Sequence, residues 1–315
     1  MSICVVGGTG FIGRHLCQAL HRHCLDAFST SRAPDHEFLR QYAPSIIGIP
    51  LDDRELWSRI AETETVVYLG SSTKPSSSWR APSDEIERGV GDIARFIRKL
   101  LDINPKCHFI YASSGGTIYG PHHQKPITEA NAAAPATAYA LCKHLAEQVL
   151  RFHAAIDNAR ITILRIANPV GLWQMGGRHG LISALVNAAV HSGEVTIYGD
   201  GDNVRDYFDA DDLANAIIAV VKSVQKTFQI YNVSSGQGLS DCDAIALVEN
   251  TLNIKIRCCF RPAREFDLRY SVLDPHRMLE TYGWRSETPL AMTVSKMYHR
   301  SSLLYEISHA TTEIL

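Results

Sequence analysis

No apolar run in this 315-residue chain is long enough to cross a bilayer, so no membrane partner is expected. Basic residues have no majority: 31 Lys and Arg stand against 33 Asp and Glu, for a formal net charge of -2. A nucleic-acid binder would show a basic stripe, and none is expected here. The eight cysteines (Cys4, Cys17, Cys24, Cys107, Cys142, Cys242, Cys258 and Cys259) form no CxxC pair and no Cys/His spacing, so no metal is expected. Several sit in apolar segments, where a reduced cysteine acts as a small hydrophobe. No charged leader with an apolar follow-on precedes the first apolar run, and the expected setting is the reducing cytoplasm. Internal repeats are lacking, and the one biased stretch, Ser71 to Ser83, reads as a loop bordering a strand end.

What is present is an alternation of short apolar runs and helical patterns. Ile3–Val6, Ala27–Thr30, Ser45–Gly48, Thr65–Leu69, His108–Ala112 and Thr162–Ile166 read as strands. Between them, Ile93, Phe96, Ile97, Leu100 and Leu101 form one helical stripe, and Leu145, Val149 and Phe152 another. Right-handed crossovers make such a series an α/β doubly wound parallel sheet, with ligands at the carboxyl ends of the strands. From about Gly171 the pattern loosens into glycine-rich loops, a helix over Leu181 to His191, a strand over Val195–Tyr198 and a helix over Asp211 to Val221.

Gly7, Gly10 and Gly13 follow the first strand and open a helix. In that context the glycines permit a tight turn, a close backbone approach to a pyrophosphate and close helix–sheet packing. The free N–H groups where the helix starts, around Phe11 and Ile12, face the phosphates. A Rossmann-type dinucleotide site is the expectation. An acid that would hold the ribose diol of NAD is missing after the second strand: Ser31 and Arg32 stand there. A hydroxyl and a guanidinium suit a 2′-phosphate, so the cofactor reads as NAD or NADP, with a lean to NADP.

Tyr139 and Lys143 share a helix face at i, i+4, and an ammonium beside a phenol lowers its pKa, making tyrosine a usable base. Upstream, Tyr111-Ala-Ser113-Ser114-Gly115-Gly116-Thr117-Ile118-Tyr119-Gly120 lies at a strand's carboxyl end. With the glycine turn, these segments resemble the extended short-chain dehydrogenase/reductase superfamily, in its NAD-dependent epimerase/dehydratase branch. The resemblance implies Tyr139 and Lys143 as the catalytic pair, also contacting the cofactor, with Ser114 or Thr117 as hydroxyl donor and Ser113 beside the cofactor. The family's HLAA after the fourth strand appears as Tyr68-Leu69-Gly70-Ser71, still small at the last two positions, with Leu69, Gly70 and Ser71 implied to border the cofactor, and Asp52 or Asp53 is implied to hold the adenine edge. Asn168 of Arg165-Ile-Ala-Asn168-Pro169, Arg205 of the GDG…RDY segment, Arg264 and Asp267 of R-x-x-D, and Ser271 are implied to bind a sugar nucleotide, most readily a UDP-sugar. Two forked guanidiniums suit a diphosphate. Ser271 stands where a tyrosine would exclude N-acetylhexosamines.

The sequence also departs from the branch. Gly115 occupies the usual catalytic hydroxyl position, and Gly116-Thr117 replaces the acid pair of the dehydratases, so dehydration is not expected. The resemblance implies a nucleotide-sugar 4-epimerase working through a transient 4-keto sugar. An NADPH-dependent 4-keto-sugar reductase is the alternative, and an idle dinucleotide sensor a remoter one. It further implies a homodimer packed through helices Glu87–Leu101 and Ala138–His153. Residues 1–172 with a return over about 204–236 would form the Rossmann domain. About 173–203 and 237–315 would form a smaller α/β sugar-nucleotide domain.

Overall fold

Alternate residues of the first strand feed opposite cores. In β1 (Ile3–Val6), Ile3 and Val5 join one apolar cluster and Cys4 and Val6 another, as a strand covered on both faces requires. The computed structural model describes residues 2–71, 83, 86–121, 124–174, 180–223 and 227–312. Most of the Ser71 to Ser83 loop therefore lies outside the described residues. β1 is followed by β2 (Ala27–Ser31), β3 (Ile47–Pro50), β4 (Thr65–Tyr68), β5 (His108–Ser114) and β6 (Arg160–Ile166). With β10 (Phe228–Val233) they form one seven-stranded sheet in the order β10-β6-β5-β4-β1-β2-β3, every neighbouring pair parallel. The direction of winding reverses between β1 and β4, which opens a crevice at their carboxyl ends.

Helices Gly91–Ile103 and Ala138–Ile156 bury Phe96, Ile97, Leu100, Ala146 and Leu150 on one face of this sheet. Helices Phe11–Arg22 and Ala210–Val221 bury Leu16, Leu20, Leu213 and Ile217 on the other. The third strand falls two residues later than Ser45–Gly48: Ile47–Pro50 pairs with β2 through Phe28↔Ile47 to Ser31↔Pro50.

A smaller region follows. β9 (Val204–Asp209) pairs with β7 (Asn168–Val170), with β11 (Gly238–Ser240) and with β13 (Tyr270–Ser271); β8 (Glu194–Tyr198) pairs with β12 (Arg257–Arg261). β9, read from sequence as the head of the segment returning to the first domain, belongs to this second sheet. The return to the large sheet is made by helix Ala210–Val221 and β10. A third core holds the region together, with Leu185, Val195, Ala244, Val248 and Val294 from helices Leu181–His191, Asp241–Leu252 and Leu290–Thr312 and from β8. No described helix is long and apolar enough to cross a membrane.

Candidate active site

The chain leaves β1 through Gly7 at φ +93°, a left-handed conformation that favours glycine. Gly10 N–H donates to the Gly7 carbonyl at 3.0 Å, and a Cβ on Gly13 would sit 2.2 Å from that same oxygen. The helix start is thus pressed onto the turn, and only glycine fits. A cavity of about 750 Å³ opens above it. Gly7, Gly10, Ser31, Arg32, Leu69, Gly70, Ser71 and Lys143, all expected from sequence, line it. Ser31 Oγ is buried with no hydrogen-bond partner, a polar group of the wall still to be satisfied. Glycine backbone, apolar walls and an orphaned hydroxyl suit a dinucleotide.

Other expected residues stand elsewhere. Phe11 and Ile12 pack against the core, Phe11 edge-on to His15 at 5.4 Å. Asp52 and Asp53 are not part of the lining; Leu51 is, and Asp53 Oδ1 instead accepts the Glu55 N–H at 2.7 Å. Leu51 follows directly on the carboxyl end of β3, which delivers it to the cavity. Ser113 Oγ is not in the cavity wall either and donates to Glu147 Oε1 at 2.5 Å. Sequence reading missed Tyr68, Arg88 and Asp92, which reach the cavity from β4, from the helical turn Ile86–Val90 and from helix Gly91–Ile103.

Helix Ala138–Ile156 starts at Thr137, whose Oγ1 accepts the Ala140 N–H at 3.2 Å. Its first turns carry Tyr139 and Lys143. Lys143 Nζ donates to the Ala112 carbonyl at 3.0 Å and lies 4.9 Å from the Tyr111 ring centre and 5.9 Å from that of Tyr139. Burial pushes the Lys143 ammonium down to about 8, and the Glu147 carboxylate works against that shift. Ser114 precedes the short helix Gly115–Ile118, where Thr117 Oγ1 donates to Ser114 Oγ at 2.9 Å. That bond leaves the Ser114 proton available to a substrate oxygen. Gly115 cannot carry the hydroxyl: a Cβ there would lie 2.3 Å from Leu273 Cδ1 and 2.9 Å from the Arg165 carbonyl.

On the far side, Asn168 Nδ2 donates to the Asp206 carbonyl at 3.1 Å. Ser271 Oγ donates to the Gly116 carbonyl at 3.0 Å, which sets β13 against the loop that carries Ser114 and Thr117. Arg264 is forked onto Asp267, with Nε to Oδ2 at 2.9 Å and Nη2 to Oδ1 at 2.8 Å, and its guanidinium lies 4.2 Å from the Tyr198 ring centre. Arg205 is half-buried on β9, and Asp241 feels the charge of both Arg205 and Arg264. Asp206 is fully buried, accepting from Ser235 N–H (3.0 Å), Ser235 Oγ (2.6 Å) and Gly236 N–H (3.1 Å); burial nevertheless pushes its carboxyl up to about 6.

Residues 3–234 match the NAD dependent epimerase/dehydratase family. The chain belongs to that family. It is an enzyme family; Lys143 lines the cavity above the glycine turn, and Tyr139, one helical turn before it, is not part of that lining. The chain is 28% identical over 305 residues to a dTDP-4-dehydro-6-deoxyglucose reductase of Escherichia coli, covering 94% of this chain and 96% of that one. It also resembles the UDP-glucose 4-epimerase of Thermotoga maritima, solved with UDP-glucose, at 25% identity and a TM-score of 0.84, covering 96% of this chain and 100% of that one. The Stenotrophomonas maltophila UDP-glucose-4-epimerase, solved with NAD and a formylated UDP-arabinopyranose, shares the fold at 21% identity and a TM-score of 0.87, covering 98% and 99%.

Proposed function

We propose that this enzyme is a nucleotide-sugar 4-epimerase acting on a UDP-hexose or UDP-N-acetylhexosamine. The observation that carries the reading is Lys143 in the wall of the dinucleotide cavity, one helical turn from Tyr139. A nicotinamide cofactor held by the glycine turn and the cavity wall would supply a reversible hydride acceptor for the sugar C4. Tyr139 accepts the 4-hydroxyl proton, Lys143 holds the phenol toward its ionised form, and Ser114, backed by Thr117, donates to the same oxygen as it becomes a ketone. Arg205 and Arg264 hold the diphosphate, so the 4-keto sugar can turn over while tethered. Ser271 faces Gly116 on the opposite side of β13 from Tyr270, and its small size supports an N-acetylated substrate. Tyr139→Phe removes only the phenolic oxygen, so activity should fall by ~10²–10⁴ with nucleotide binding intact. Retention of near wild-type turnover would overturn the assignment.

The cofactor of the Stenotrophomonas relative is NAD. In this chain Ser31 and Arg32 follow β2 with no carboxylate, and Arg88 joins them in the cavity, so its 2′ end also accepts NADP. Ser31→Asp with Arg32→Asn should shift the ratio of the two dissociation constants toward NAD; an unchanged ratio would show that this loop does not read the 2′ position. A ketoreductase is the second reading, favoured by the identity to the Escherichia coli reductase. Epimerisation without added cofactor supports the first; stoichiometric consumption of NADPH with a 4-keto sugar supports the second. Helix Ala138–Ile156 leaves Phe152 and Ile156 exposed and helix Gly91–Ile103 leaves Ile103 exposed, which supports a homodimer through these helices. A monomer by sedimentation at micromolar concentration would contradict it.

A further inference from the structure

A buried chain of polar groups lies beneath the catalytic pair. Glu147 stands one turn beyond Lys143 on the same helix and is sealed from solvent, as is Arg165 on β6. Arg165 Nη2 donates to Glu147 Oε2 at 2.7 Å, and its Nε lies 3.2 Å from both carboxylate oxygens. The third donor is Ser113 Oγ, at 2.5 Å from Glu147 Oε1. Ser113 adjoins Ala112 on β5, whose carbonyl accepts from Lys143 Nζ at 3.0 Å. Two neighbouring residues of β5 therefore hold two successive turns of the catalytic helix, one through Lys143 and one through Glu147. On its far side the Arg165 guanidinium lies 4.8 Å from the Tyr119 ring centre, and Tyr119 OH donates to Asn232 Oδ1 at 2.7 Å.

Stability alone does not call for this arrangement. Buried ion pairs recover little beyond their desolvation, and apolar residues of similar volume commonly do as well. The geometry points to Glu147 as a positioning residue that keeps Lys143 charged and in register with Tyr139, with Arg165 and Ser113 holding the carboxylate in place. This rests on the proposed hydride-transfer reading, in which Lys143 must remain an ammonium for the Tyr139 phenol to serve as base.

Among the described residues, the other groups around Lys143 supply no equivalent negative charge. Tyr111 on β5 is fully buried, and its pKa is pushed well above the ordinary phenol range. Tyr139 and Cys142 share its helix, the first as the proposed base and the second buried. Asp92, across the cavity, is tied to Arg95 at 2.6 Å. Burial drives Lys143 toward neutrality, and Glu147 is the charge that opposes it.

The test follows Lys143 directly, by its side-chain nitrogen signal in a ¹⁵N-lysine-labelled protein assigned through Lys143→Met, alongside the pH profile of kcat. Glu147→Gln removes the carboxylate and leaves Arg165 uncompensated, so Lys143 should titrate about one pH unit lower and the alkaline limb of kcat should move down with it. Arg165→Met should move both upward. The double variant buries no unpaired charge and remains foldable where the singles do not. Its titration should fall below wild type but above Glu147→Gln. A purely structural role would lower thermal stability without moving the titration. Titration of the double variant at the wild-type value, or single variants shifting in the same direction, would overturn the inference. Wild type inactive on every nucleotide sugar would overturn the proposed reaction instead, and the Lys143 titration would still be read.

Discussion

Two arginine–carboxylate pairs of this enzyme share one chemistry and differ in environment. Arg165–Glu147 is closed off, with side-chain exposures of 6% and 1%; Arg264–Asp267 stands at 41% and 12%. Both arginines fork onto their carboxylates. The first has no solvent side through which a partner could be exchanged, so its charge acts only on what surrounds it: Ser113, Tyr119 and the helix carrying Lys143. The second is stacked against Tyr198 and Phe266 while part of its guanidinium faces water, which leaves it open to the diphosphate of the proposed substrate. Exposure, rather than residue type, separates a built-in charge from a receptor.

The comparison is broken most sharply by deleting one arginine at a time. Arg165→Ala should cost about 3–5 kcal/mol in denaturant unfolding, because it strands a buried carboxylate. Arg264→Ala should change stability by no more than about 1 kcal/mol, as exposed pairs do. It should instead raise KM for the sugar nucleotide by on the order of tenfold or more with little change in kcat, since a charged hydrogen bond to substrate is worth about 1.5–3 kcal/mol. An unfolding cost for Arg264→Ala as large as that for Arg165→Ala would erase the distinction.

A smaller effect sharpens the same point at Asp206, a buried carboxyl with no cationic partner among the described residues. Its folded-state pKa of about 6 lies above the ordinary value of about 3.9. Over that window the folded protein holds a proton that the unfolded chain releases, so this group's contribution to stability grows as pH falls from about 6 to about 4. Asp206→Asn should remove it, and the Tm of wild type should rise relative to that of the variant toward acid. A constant difference across that range would place the carboxyl back in the ordinary range.

What could be read from sequence follows from where the constraint resides. The glycine turn was legible because backbone geometry permits almost nothing else: Gly7 is left-handed and Gly13 has no room for a Cβ. Tyr139 and Lys143 were legible because a helix fixes their spacing. Glu147, at i+8 from Tyr139, looked like an ordinary helical acid, since only β5 and β6 folded against it reveal its partners. Arg88 and Asp92 were illegible for a related reason: they reach the cavity from an element far along the chain from the glycine turn. Asp52 and Asp53 were expected at the cavity, where Leu51, directly after β3, is the residue that lines it. Ser113 was expected at the cofactor, but its side chain is taken by Glu147.

The central claim is that one hydride leaves C4 and returns to it inside a closed cycle. Purified enzyme supplied with UDP-hexose and UDP-N-acetylhexosamine carrying deuterium at C4 tests it in one NMR experiment. The account predicts interconversion of the 4-epimers with the deuterium retained at C4 and no net cofactor consumed. Loss of the label to solvent, or product formed only in step with oxidation of added NADPH, would contradict it.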